Sequence, residues 1–109
     1  MQPEPTDWPF EDPPNVATFT TRQLIRDGRP ILYVVRDEED GAWQFHTGDS
    51  EVSRSDGMIV CLAEMVRADP SLLTLADLPY GWVALRESVD SAWKRCRRDE
   101  LDDDEPTTA

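Results

Sequence analysis

The residues best suited to chemistry are an acidic run and the single histidine of the chain, which lie close together in sequence. Four consecutive acidic residues precede a glycine, and His46 and Asp49 follow a few positions later. A histidine beside a carboxylate can act as a general base. Several carboxylates with a glycine are typical of calcium loops. The acidic run consists of Asp37, Glu38, Glu39 and Asp40.

Neither chemistry is well supported by the surrounding residues. With Gly41 at the sixth position of a calcium loop, Arg36 takes the first position, where a ligand oxygen is required. Cys61 and Cys96 lie far from each other and from His46, so the chain lacks the usual ligand spacing of a zinc site. No nucleophile motif or glycine-rich phosphate loop is present. We therefore expect no enzyme, no metal and no cofactor.

The acidic run and the histidine are predicted to lie on one β-hairpin. Residues 31–36 form a β-branched run that is typical of a strand buried on both faces. Asp40 and Gly41 are a strong turn signal. In residues 43–47 apolar and polar side chains alternate, so His46 is placed on the polar face of the returning strand.

The remaining elements indicate a small α+β domain. A helix that begins near Leu62 should end at Asp69, before Pro70, and Asp69 is expected to cap a second short helix. Further strands are predicted at 16–20, 82–86 and 92–95, whereas 58–61 fits either a strand or the start of a helix. We expect a single domain with a small antiparallel β-sheet and two or three short helices.

Charge and proline content divide the chain into three parts. Residues 1–15 hold five of the nine prolines and are predicted to be an extended arm. Residues 99–109 hold six acidic groups and are predicted to be a disordered acidic tail. The domain, residues 16–98, has 13 acidic and 11 basic residues, so most of the net charge of −12 lies in the termini.

Several partners and locations are disfavoured by this composition. Nucleic-acid binding requires clustered lysines and arginines, and the basic run 94–98 is followed directly by the acidic tail. No segment reaches the length of apolar sequence that spans a membrane. The start of the chain has no secretion signal, and two cysteines make no disulfide framework. We therefore expect a cytoplasmic protein with no nucleic-acid or membrane partner.

Two blocks resemble a known bacterial family. The first is an acidic-Gly-x-Trp-x-Phe-x-x-Gly-Asp strand at residues 40–49, and the second is an Asp-Pro-x-Leu-Leu stretch with a later Pro-x-Gly turn at residues 69–81. On the basis of these two blocks, the chain resembles small domains grouped with the immunity proteins of polymorphic toxins, the immunity-thirty-three-like domain. The similarity covers about residues 20–95. The resemblance implies a non-enzymatic module that binds a protein, such as a basic toxin domain.

An acidic protrusion could steer such a module toward a cationic cleft and occupy it. The partner-binding residues expected on this basis are Asp37, Glu38, Glu39, Asp40, His46 and Asp49. Two other hypotheses remain open. One is an adaptor or regulatory domain that binds a partner through its arm or tail. The other is a small ligand-binding or hydrolytic domain that uses His46 and Asp49. The oligomeric state and the strand order are left open.

Overall fold

The computed structural model of the protein describes residues 8–48 and 54–103. Within them, short strands alternate with short helices, and 3₁₀ turns lie at Arg54–Asp56 and Pro70–Leu75. The elements are β1 (Ala17–Thr21), α1 (Arg22–Ile25), β2 (Tyr33–Arg36), β3 (Trp43–His46), β4 (Gly57–Cys61), α2 (Leu62–Ala68), β5 (Trp82–Leu85), β6 (Lys94–Arg97) and α3 (Arg98–Asp103).

The strands form one six-stranded sheet with the order β4-β1-β3-β2-β5-β6. All neighbouring pairs are antiparallel except β1 and β3, which run parallel. The mostly antiparallel sheet with a few short helices confirms the predicted α+β class. The open strand order is now resolved: the first strand of the chain lies between the third and the fourth.

The hairpin that the sequence predicts is present. β2 and β3 pair from Tyr33 with His46 to Arg36 with Trp43. The turn between them is closed by hydrogen bonds from Asp37 N to Ala42 O at 2.8 Å and from Gly41 N to Asp37 O at 3.0 Å. Gly41 has a φ of +71°, which glycine adopts without the steric cost of a Cβ atom.

Local signals also placed the two elements around Asp69. α2 ends at Ala68, and the Asp69 side chain then accepts a hydrogen bond from Ser71 N at 3.0 Å with Pro70 at the start of the 3₁₀ turn. The ambiguous segment before α2 is a strand, β4, because every one of its residues pairs with β1. Tertiary pairing therefore decides what four residues of periodicity could not.

The hydrophobic core lies between one face of the sheet and the helical segments. β3 contributes Trp43 and Phe45 to it. The guanidinium of Arg86, whose side chain is only 3% exposed, closes one side of the core, and it donates to Ile31 O and to Asp69 Oδ2. The other buried members include Leu24, Ile31, Val34, Leu62, Met65, Leu72, Leu75, Leu78 and Ala84.

Both terminal segments contribute more to the described structure than composition indicates. In the expected arm, Phe10 is 7% exposed and belongs to the core, and Trp8 packs against it with ring centroids 5.1 Å apart. In the expected tail, residues 99–103 lie in α3. Residues 1–7 and 104–109, the outer parts of both segments, lie outside the described residues.

Candidate functional site

The acidic turn between β2 and β3 is held in shape by its own carboxylates. Asp37 Oδ1 accepts a hydrogen bond from Glu39 N at 2.8 Å, and Asp40 Oδ1 accepts one from Ala42 N at 3.0 Å. The side chains of Glu38, Glu39 and Asp40 are exposed, whereas Asp37 is half-buried. Such side-chain to backbone bonds fix the turn conformation. The turn therefore presents its negative charge on an ordered backbone.

A buried arginine supports this turn from behind. Arg36 Nε donates to Gly41 O and Nη1 donates to Leu78 O, both at 3.0 Å. Its guanidinium carbon lies 4.5 Å from the ring centroid of Trp43 and 4.7 Å from that of Tyr80. An arginine between two aromatic rings combines packing with cation–π attraction. Arg36 thus joins the acidic turn to the loop that carries Tyr80.

The N-terminal segment is fastened to the same arginine and tryptophan. Asp12 Oδ2 accepts a hydrogen bond from Trp43 Nε1 at 2.9 Å and lies 3.6 Å from Arg36 Nη2. Glu11 Oε1 lies 3.8 Å from the same nitrogen, and its side chain is 78% exposed. Glu11 therefore places a further carboxylate at the end of the molecule where the acidic turn lies.

A shallow groove of about 300 Å³ between the N-terminal segment and the 79–81 turn completes this region. Tyr80, which is 51% exposed, lines the groove together with Glu11 and Asp77. Asp77 accepts a hydrogen bond from Arg95 Nη2 at 2.8 Å, and this bond and the positive charge of Arg95 lower the pKa of Asp77. We call Glu11, Asp37–Asp40, Asp77 and Tyr80 the acidic end.

His46 does not belong to the acidic end. It pairs with Tyr33 at the opposite end of the hairpin, whereas the turn follows the pair of Arg36 and Trp43. Three residues of strand separate the two positions, a distance of about 10 Å along β3. The histidine is therefore not part of the surface that the turn presents. The residues predicted to bind a partner therefore lie in two separate regions of the surface.

The surroundings of His46 are mainly aromatic. Its ring centroid lies 5.9 Å from that of Phe19 and 5.8 Å from that of Tyr33, and Nε2 is 3.1 Å from Gln44 Oε1. Partial burial, followed by the positive charge of Arg98, lowers the pKa of His46, so its imidazole is neutral at pH 7. Asp49, the expected partner of His46, lies outside the described residues.

In residues 8–48 and 54–103, no cluster of three or more histidine, cysteine, aspartate or glutamate side chains has the arrangement of a metal site. Cys61 and Cys96 are both half-buried and reduced. No helix in the same ranges has the length and apolar character needed to cross a membrane.

Comparisons with known proteins give no relative: no family model, curated protein or solved structure matches the chain. Sequence reasoning identified the acidic turn but missed Glu11, Asp77 and Tyr80, which come from two segments distant from the turn in sequence. The Pro79–Gly81 turn signal was visible, but nothing local indicated that its tyrosine would lie over Gly41.

Proposed function

We propose that the protein is a non-enzymatic protein-binding module that binds a basic protein partner through its acidic end. The resemblance to the immunity-thirty-three-like family suggests the class of that partner, a toxin domain with a cationic cleft. The observation that supports the proposal most directly is the ordered acidic turn, whose shape is fixed by hydrogen bonds from its own backbone. An ordered surface loses little conformational entropy on binding.

The composition of the acidic end suits such an interface. Carboxylates placed around an opposing cationic cleft raise the association rate and select the partner by charge. The exposed ring of Tyr80 lies among these carboxylates and is held by Arg36. Tyrosines surrounded by polar groups are frequent centres of binding energy in protein interfaces.

The adaptor hypothesis has less support from residues 8–12. Trp8 and Phe10 are the apolar residues of this segment that could anchor a partner, yet both pack on the domain itself. Trp8 Nε1 also donates to Asp12 O at 2.8 Å. A partner that used these aromatic side chains would first have to displace them from the core.

The test is capture of partners from native lysate with the full chain and with a double variant, Glu38→Lys with Glu39→Lys. These two carboxylates are chosen because Asp37 and Asp40 shape the turn, so replacing the latter would change its structure as well as its charge. The captured partner is then purified and its affinity measured at about 50 mM and about 300 mM salt. We expect one basic protein, bound at least about tenfold more weakly by the variant and by the wild type at high salt.

The matched control is Glu87→Lys with Asp90→Lys. It makes the same change in net charge at two exposed residues beyond β5, at the opposite end of the sheet from the turn. Tyr80→Ala tests the aromatic centre separately. Equal affinity of the wild type and the Glu38/Glu39 variant would contradict the proposal, as would an equal loss in the Glu87/Asp90 control.

A further inference from the structure

The two edge strands of the sheet, β4 and β6, differ in the charge of their side chains. β6 carries Lys94, Arg95 and Arg97 with exposed side chains. Charged side chains on an edge strand prevent pairing with another chain. β4 contains no charged residue over Gly57–Cys61, and its Ile59 is 66% exposed. Among the described residues, therefore, the edge that lacks charge protection is β4.

The hydrogen bonds of β4 show which of its backbone groups face away from β1. Leu62 N donates to Val16 O at 2.9 Å, so Leu62 faces β1. Successive residues of a strand direct their backbone groups to alternate sides. Met58 and Val60 therefore also face β1. The N–H and C=O groups of Gly57, Ile59 and Cys61 point away from the sheet.

We propose that β4 pairs antiparallel with β4 of a second copy of this chain, with the two-fold axis at Ile59. This register places Gly57 opposite Cys61 of the other copy and Ile59 opposite its own equivalent. All three outward-facing residues then form hydrogen-bonded pairs. A register centred on Met58 or Val60 would pair only two of the three outward-facing residues of each strand and would therefore form fewer hydrogen bonds.

Side chains favour the same arrangement. Ile59 pairs with Phe19, which pairs with Gln44, so these residues form a row on the sheet face opposite the core. Phe19 is 37% exposed and Ile59 more so. Across the two-fold axis, each Ile59 would pack against its equivalent on the same face, with each Phe19 behind it. The row would thereby bury apolar surface that a single chain leaves in water.

Charge favours pairing of β4 with β4 of a second copy over the other possible pairings of edge strands. Two β6 edges would bring Lys94, Arg95 and Arg97 against their own equivalents. Pairing of β4 with β6 of another copy would be head-to-tail and would leave both outer edges open to further addition. The β4 edges meet without charge between them. Because each chain carries a net charge of −12, salt should strengthen this contact by screening the repulsion.

The experiment is sedimentation of the full chain over a range of concentrations, under reducing conditions so that Cys61 and Cys96 form no intermolecular disulfide. The short interface predicts a reversible dimer with a dissociation constant on the order of 10 μM. Ile59→Lys should weaken it at least about tenfold, because it places a charge on the edge. Val89→Lys is the matched control, since it makes the same type of change at a residue 57% exposed outside the sheet.

Hydrogen exchange of single amides tests the register. The amides of Gly57, Ile59 and Cys61 should exchange more slowly as concentration rises, whereas those of Met58 and Val60 should be protected at all concentrations. Circular dichroism checks that both variants fold. A chain that stays monomeric overturns the proposal and leaves the edge to a strand of another protein. A dimer that survives Ile59→Lys, or fails to protect Ile59, overturns it as well.

Discussion

At the residue scale, the adjacent threonines Thr20 and Thr21 of β1 differ in the hydrogen bonding of their buried hydroxyl groups. Thr20 Oγ1 donates to Phe45 O at 3.0 Å. Thr21 is equally buried, yet among the described residues its Oγ1 has no hydrogen-bond partner. A buried hydroxyl without a partner has lost its hydration and gained nothing in return. The unpaired hydroxyl at the end of β1 therefore lowers the free energy of unfolding.

Replacing Thr21 by valine should stabilise the protein by about 1 kcal/mol, because a methyl group of similar shape takes the place of the unpaired hydroxyl. The same change at Thr20 removes a hydrogen bond and should destabilise the protein by about 1 kcal/mol. Urea unfolding of both variants measures the two free energies. A loss of stability in Thr21→Val would mean that its hydroxyl has a partner after all.

The β2–β3 turn is the element that holds the acidic end together, and Gly41 is its tightest point. A Cβ atom at Gly41 would lie 2.5 Å from Tyr80 Cζ, whereas one at Gly28 would have no atom within 4 Å. Both glycines have similar positive φ angles, +71° and +69°. They therefore differ in packing and not in backbone strain.

Gly41→Ala should cost about 2 to 3 kcal/mol of unfolding free energy, the sum of strain at positive φ and displacement of Tyr80. Gly28→Ala should cost only about 1 kcal/mol, because strain alone acts there. In a Tyr80→Ala background, the cost at Gly41 should fall to the Gly28 value. Denaturant unfolding of the wild type, the three single variants and the Gly41→Ala/Tyr80→Ala double variant gives this comparison, and equal costs at the two glycines would contradict the described contact.

The elements that the sequence predicted correctly have local causes. The hairpin turn is specified by Asp40 and Gly41, and the turn after α2 by Asp69 and Pro70. β4 could not be assigned because its hydrogen bonds go to β1, about forty residues earlier in the chain. The acidic turn was found for the same reason as the hairpin. Tyr80 was missed because its contact with Arg36 depends on how distant segments pack.

At the scale of the whole molecule, the N-terminal segment is part of the packed domain. Phe10 packs edge-on against Trp43 with ring centroids 5.4 Å apart. Composition did not reveal this, because Phe10 lies in a proline-rich segment that has no apolar period. An aromatic residue in a proline-rich stretch can belong to the core when the residues that it packs against come from elsewhere in the chain.

Phe10→Ala should therefore lower the free energy of unfolding by about 3 kcal/mol, as for other buried phenylalanines. Pro9→Ala changes the exposed neighbour and should stay within about 0.5 kcal/mol of the wild type. Thermal and urea unfolding of the full chain check both values. Similar stability of the two variants would show that the segment adds little to the domain.

The position of β1 between β3 and β4 has a consequence for synthesis on the ribosome. The β2–β3 hairpin has local contacts and can form as soon as it emerges. β1 is made earlier, yet it finds its first partner only with β3 and its second only when Cys61 has been added. Through the synthesis of some forty residues, the nascent chain therefore carries a first strand that lacks one or both of its neighbours. Slow translation over this interval would lengthen its exposure to chaperones and to other nascent chains.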